Sequence, residues 1–130
     1  RYNLISLFSG AMGLDLGLER SGFETRVAVE IAKAAVATIK SNKPKLPVID
    51  SPIQTITTGE ILKKARLSVG EATVVIGGPC CQSFSTAGKR GSLCDTRGTL
   101  FQDYCRVVHE AQPRFFVMEN VKGLLSAAVN

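Results

Sequence analysis

No run of apolar residues in this chain approaches the roughly twenty needed to cross a bilayer. There is no CxxC pair, a single histidine, no internal repeat and no low-complexity tract. Each absence removes a class of protein. Arg1-Tyr2-Asn3-Leu4 passes straight into strand-like sequence rather than a signal peptide, so a soluble intracellular protein with no membrane partner is expected. The four cysteines, at 80, 81, 94 and 105, have only His109 for company. That set lacks the spacing of a zinc site, and neither a metal nor a disulfide framework is expected. The turn Ser9-Gly10-Ala11-Met12-Gly13 also lacks the full GxGxxG pattern that cradles a pyrophosphate.

What is present suits one domain with one core: 130 residues, 45% of them hydrophobic. Sixteen Lys and Arg against eleven Asp and Glu give a net charge of +5, which permits a polyanionic partner without requiring one. Along the chain, strand-like and helix-like segments alternate. Tyr2 to Phe8 is apolar and β-branched, as in a buried strand, and stops at the glycine turn. A short helix through Leu14, Leu16 and Leu18 follows and closes at Ser21-Gly22. Thr25 to Val29 reads as a second strand, ending at Glu30. An alanine-rich helix from Ile31 to Ser41 then runs to Pro44. Leu46 to Ile49 reads as a short third strand.

Thr57-Thr58-Gly59-Glu60 has the form of a capping box opening a helix that ends by Gly70. Its Lys63, Lys64 and Arg66 read as a solvated face near a helix C-terminus. Thr73 to Ile76 is a fourth strand, followed by a long basic loop from Gly77 to Gly98. A helix from Thr99 to Ala111 and a strand from Arg114 to Met118 complete the series, with Cys105 and His109 of that helix taken as structural. The alternation predicts an α/β fold: a mostly parallel sheet with helices on both faces.

Four strand ends then share one rim: Ser9 to Gly13, Glu30, Pro79 to Gln82, and Glu119-Asn120. The first two suit a nucleoside, since glycines allow close backbone approach and a carboxylate can accept both ribose hydroxyls. The other two suit a thiolate and a carboxyl acting on one substrate. A thiol of ordinary pKa, about 8.5, needs a cationic neighbour to act at neutral pH, and Lys89, Arg90 and Arg97 lie in the same loop. Glu119, at the end of an apolar strand, is expected to be held protonated by burial. The alternative readings are a small buried hydrophobe for Cys81 and a salt bridge for Glu119.

Phe8-Ser9-Gly10-Ala11-Met12-Gly13-Leu14, Gly78-Pro79-Cys80-Cys81-Gln82, Arg97-Gly98-Thr99-Leu100-Phe101 and Met118-Glu119-Asn120-Val121 resemble four successive signatures of DNA (cytosine-5) methyltransferases. The resemblance spans essentially the whole chain and implies a Rossmann-like methyltransferase fold. It implies that S-adenosylmethionine, released as S-adenosylhomocysteine, lies among Phe8, Ser9, Gly10, Ala11, Met12, Gly13, Leu14, Glu30, Ile31, Asp50, Ile53, Pro79 and Leu100. It makes Cys81 the nucleophile and Glu119 its partner at ring nitrogen 3 of a flipped cytosine. Double-stranded DNA is the implied substrate, with Gln82, Ser85, Lys89, Arg90 and Arg97 as contacts in a loop that closes over it. A bacterial cytoplasmic or nucleoid-associated enzyme, as in restriction-modification, is the implied setting.

Three positions depart from the family pattern. Met12 replaces a glycine and is expected to narrow the approach to the methionine part of the cofactor. Cys80 replaces a proline and is a rival nucleophile. Pro52-Ile53 stands where an Asp-Ile pair is expected, with Asp50 as the substitute acid. The later signatures of the family and any target recognition domain are missing, so residues 1–130 are read as the cofactor-binding and catalytic-loop part of the domain. A partner chain or second copy completing the sheet is one expectation. The rival functions are an inactive S-adenosylmethionine-binding module and an RNA cytosine-5 methyltransferase.

Overall fold

A computed structural model describes residues 2–10, 12–78 and 98–119, with the backbone alone at 98–100. Five strands form one sheet: β1 (Tyr2–Leu7), β2 (Phe23–Val29), β3 (Val48–Ile49), β4 (Val74–Gly77) and β5 (Phe115–Met118). Four α-helices connect them: α1 (Gly13–Glu19), α2 (Lys33–Asn42), α3 (Thr58–Ala65) and α4 (Gly98–Ala111). The spatial order is β3-β2-β1-β4-β5, and every adjacent pair is parallel. The chain winds outward from β1 to β3 and then returns to place β4 on the other side of β1. That reversal opens a crevice between the carboxyl ends of β1 and β4, the usual ligand position in a doubly wound sheet.

The central strands β1 and β4 are apolar on both sides because both their faces are covered. Leu4, Val74 and Ile76 meet Leu14 and Leu18 of α1 on one face. Ile5, Leu7, Val27, Val29 and Val75 meet Ile61, Leu62 and Ala65 of α3 and Tyr104, Val107 and Ala111 of α4 on the other. Tyr104 is fully buried, and its hydroxyl lies 3.0 Å from the Val75 carbonyl and 2.8 Å from that of Val117, bridging β4 and β5. Burial holds its phenol well above the ordinary pKa.

Most element boundaries fall within one or two residues of expectation. The third strand starts at Val48 rather than Leu46, because Pro47 has no N–H to give the ladder. Pro47 contributes only its carbonyl, which accepts from the Ala28 N–H at 3.0 Å. The capping box forms as read: the Glu60 N–H donates to Thr57 Oγ1 at 3.0 Å, and the Thr57 N–H donates to Glu60 Oε1 at 3.2 Å. As expected, α3 ends by Gly70: it stops at Ala65, where Arg66 takes the left-handed conformation at φ 59°. A 3₁₀ turn over Ile53–Thr55, absent from the sequence reading, precedes α3.

At the end of the sheet away from the crevice, Lys43 Nζ donates to Glu19 Oε1 at 2.6 Å and Thr25 Oγ1 donates to Glu19 Oε2 at 2.7 Å. Burial alone would raise the Glu19 pKa, but these bonds and the Lys43 charge bring it below its ordinary value. The pair fastens the end of α1 to the end of α2. Lys64 and Arg66 share an open groove there with Arg26, Lys43 and Lys45, beside the C-termini of α2 and α3, where positive charge is favourable.

Candidate functional site

The turn after β1 is held in shape by Glu30. The Gly10 N–H donates to Glu30 Oε1 at 2.7 Å, and the Ile31 and Ala32 N–H groups donate to Oε2 at 3.1 and 2.9 Å. One carboxylate thus joins the ends of β1 and β2 and still has lone pairs for further donors. Three residues of the turn adopt left-handed backbone conformations: Phe8 (φ 54°), Gly10 (φ 55°) and Met12 (φ 67°). Glycine does this freely, whereas each non-glycine stores about 1 kcal/mol or more. Ser6 and Ser9 brace the turn with a hydroxyl contact of 2.8 Å.

Two cavities flank this turn. One, of about 450 Å³, is mostly apolar, with Phe8, Ile31, Pro52 and Ile53 among its walls and Glu30 on its edge. The other, of about 340 Å³, lies over Ser9, Gly10, Gly13, Leu14 and Asp15 on one side and Gly78 and Glu119 on the other. Phe8 and Gly78 border both cavities, so they adjoin at the crevice between β1 and β4. An apolar cavity beside a carboxylate able to accept hydroxyls, adjoining a more polar chamber, suits a nucleoside with a polar extension.

Glu119 reaches the second cavity from the end of β5, where its N–H donates to the Gly77 carbonyl at 2.8 Å. A Cβ on Gly78 would lie 3.0 Å from the Glu119 carbonyl oxygen and 3.6 Å from Oε1. The missing side chain at 78 therefore lets the Glu119 backbone approach closely, with the Glu119 side chain at ordinary contact distance. That side chain is exposed, so the burial expected of it is not found.

Of the residues read as cofactor-binding, Phe8, Ser9, Gly10, Gly13, Leu14, Glu30, Ile31 and Ile53 line the two cavities. Met12 does not. It is 3% exposed and borders neither cavity, so it is packed inside the turn rather than narrowing the approach to the site. Asp50 is exposed and also borders neither; Ser51 and Pro52 stand at the wall where a substitute acid was expected. Cys105 and His109, taken as structural, are exposed on α4. Ala11, Pro79, Cys81, Gln82, Ser85, Lys89, Arg90 and Arg97, and the side chain of Leu100, lie outside the described residues.

Two contributors escaped the sequence reading. The Arg106 guanidinium donates to the Ile53 carbonyl at 3.0 Å and pairs with Asp103 at 3.3 Å, holding the wall of the apolar cavity from α4. Nothing in the helical pattern of α4 distinguishes it from a surface arginine. The second is Asp15, whose burial the alternation of Leu14, Leu16 and Leu18 gave no reason to expect.

Comparison with known proteins follows the same lines. A sequence model described as C-5 cytosine-specific DNA methylase matches residues 2–129. Type II methyltransferase M.AquIA of Picosynechococcus is 52% identical over 123 residues, covering 95% of this chain and 50% of that protein. M.NgoPII of Neisseria gonorrhoeae is 45% identical over 123 residues, covering 95% of this chain and 34% of that protein. The chain thus spans between a third and a half of the length of these relatives. A structure of a mutant of Spodoptera frugiperda DNMT2 superimposes with a TM-score of 0.71 at 26% identity, covering 99% of this chain and 38% of that one.

Proposed function

Because the chain belongs to the C-5 cytosine-specific DNA methylase family, we propose that it forms the cofactor-binding and catalytic face of an enzyme that methylates carbon 5 of cytosine in double-stranded DNA. The observation that carries this reading is the pair of adjoining cavities, with Glu30 on one and Glu119 on the other. S-adenosylmethionine supplies an electrophilic methyl group when bound. Phe8, Ile31, Pro52 and Ile53 would enclose its adenine, and the free lone pairs of Glu30 would accept the ribose hydroxyls.

Carbon 5 of cytosine is a poor nucleophile. Cys81, the residue before Gln82, is the proposed thiolate: its sulfur adds to carbon 6 and turns the ring into an enamine able to attack the methyl group. Glu119, when it carries a proton, donates a hydrogen bond to ring nitrogen 3 as negative charge develops there. Once carbon 5 carries the methyl group, loss of its proton to solvent water and departure of the Cys81 sulfur as thiolate restore the aromatic base. A stacked base offers neither face for this, so the cytosine is flipped out of the duplex. Gln82, Ser85, Lys89, Arg90 and Arg97 are the proposed DNA contacts, and Pro79, Leu100 and Ala11 complete the cofactor enclosure.

Glu30→Ala tests the cofactor half. It removes both hydroxyl acceptors and the anchor of the Gly10 turn, so S-adenosylhomocysteine affinity measured by calorimetry is expected to fall about 100-fold, or roughly 2.7 kcal/mol. Unchanged affinity would move the adenosine out of this cavity.

β5 bears on how the sheet is completed. Phe115, Phe116 and Val117 are 66%, 57% and 41% exposed, and β5 has no neighbour on its outer side among the described residues. An apolar strand in that position is a pairing surface. Polypeptide beyond these residues, corresponding to the additional length of the relatives, is proposed to cover it, in the same chain or from a partner. In light scattering the 130-residue chain by itself is expected to self-associate, and a monodisperse monomer would count against this.

A further inference from the structure

Asp15, on the first turn of α1, is 2% exposed, and its Oδ2 has no hydrogen-bond partner. Buried carboxylates are ordinarily paired or fully hydrogen bonded, because an unpartnered one carries the whole penalty of desolvation. The charges acting on it are Glu19 and Lys43, which are bonded to each other at 2.6 Å. The hydrogen bonds the carboxyl does receive come from the Ser6 hydroxyl, which also contacts Ser9 at 2.8 Å, and from its own backbone N–H, and they leave Oδ2 without a donor. Burial accordingly pushes the Asp15 carboxyl above its ordinary pKa, with Ser6 pulling it partly back.

Asp15 also lines the 340 Å³ cavity, which has two carboxyl groups on its walls, those of Asp15 and Glu119, and no Lys, Arg or His among its described lining residues. Such a chamber is electrostatically incomplete and favours a ligand that brings positive charge and hydrogen-bond donors. The neighbouring apolar cavity is the proposed seat of adenosine, so the Asp15 side of the acidic one, beside the Gly10 turn, takes the cofactor's other end, and the Glu119 side is left for the flipped base.

We propose that Asp15 recognises the α-ammonium group of the amino-acid half of the cofactor, which supplies the partner that Oδ2 lacks. This inference rests on the adenosine assignment made above. Asp15 is then a binding residue that discriminates the intact cofactor from adenosine fragments, and its unsatisfied state in the free chain is a stability cost kept for that purpose.

Three ligands separate the possibilities: S-adenosylhomocysteine, its analogue lacking the amino group, and 5′-methylthioadenosine, which lacks the whole amino-acid portion. With the wild-type chain, S-adenosylhomocysteine is expected to bind at least about tenfold tighter than the deamino analogue, as for a charge-assisted hydrogen bond. Asp15→Asn should erase most of that preference, leave 5′-methylthioadenosine affinity unchanged, and melt no lower than wild type, since a buried charge has become a neutral amide. Equal losses for all three ligands would show that Asp15 only shapes the turn, and would overturn the inference. So would a wild-type chain indifferent to the amino group, a result that needs no variant. Failure of 5′-methylthioadenosine to bind the wild type would instead sink the adenosine assignment, and this inference with it.

Discussion

Substituting Gly77 with alanine is expected to destabilise the protein by about 3 kcal/mol, lowering the thermal midpoint by roughly 10 °C in a circular dichroism melt. The new Cβ would lie 2.6 Å from the Leu7 carbonyl oxygen, 3.0 Å from the Tyr104 ring and 3.2 Å from the Leu7 Cβ. Two of these neighbours cannot yield easily. Leu7 and Gly77 are register partners in the parallel β1–β4 pair, and Tyr104 is held by its bonds to Val75 and Val117. Relief would have to come from parting β1 and β4, the two central strands that frame the crevice. A shift of only a degree or two would mean that the strands separate at little cost and that close approach at Gly77 is not what the glycine provides. Gly78→Ala makes a useful contrast, because its tightest contact, 3.0 Å, is with the Glu119 carbonyl at the open rim. That change should spare the melt and displace Glu119.

The second large effect concerns Cys81. With labelled S-adenosylmethionine and duplex DNA carrying 5-fluorocytosine, fluorine stands in place of the carbon 5 proton and cannot leave as a cation, so elimination stops and the covalent adduct should accumulate. Cys81→Ser is expected to abolish that adduct and to lower methyl transfer by on the order of 10³-fold or more, since a hydroxyl at its ordinary pKa is a far weaker nucleophile than a thiolate. Cys80→Ser should retain the adduct. The opposite pattern would make Cys80 the nucleophile and displace Gln82 as the marker of the reacting position. Where the 130 residues need the remaining part of a longer enzyme, adding that part should restore the adduct with Cys80→Ser and not with Cys81→Ser. Persistent absence of an adduct alongside tight cofactor binding is the signature of a module that binds without turnover.

The succession of strands and helices was legible because each carries its own local signal. β-branched runs such as Val74 to Ile76 have few other uses, and the Thr57–Glu60 capping box is satisfied entirely within four residues. The rim was legible for the same reason: parallel strands joined by helices must deliver their carboxyl ends to one side, so Gly10, Glu30, Gly78 and Glu119 converge whatever the details. The tertiary structure alone decided matters that depend on contacts between distant segments. Met12 turns inward because the turn takes a left-handed conformation there, although the missing glycine suggested an obstruction at the site. Asp50 falls outside the cavity because the 3₁₀ turn brings Pro52 and Ile53 to its wall and Arg106 holds Ile53 from α4. Asp15 is buried with its Oδ2 unpartnered because Leu14 and Leu18 seat α1 against Leu4, Val74 and Ile76, a packing invisible in the alternation of Leu14, Leu16 and Leu18. Short-range chemistry is written residue by residue along a chain; which polar atom is left without a partner is known only when every neighbour has taken its place.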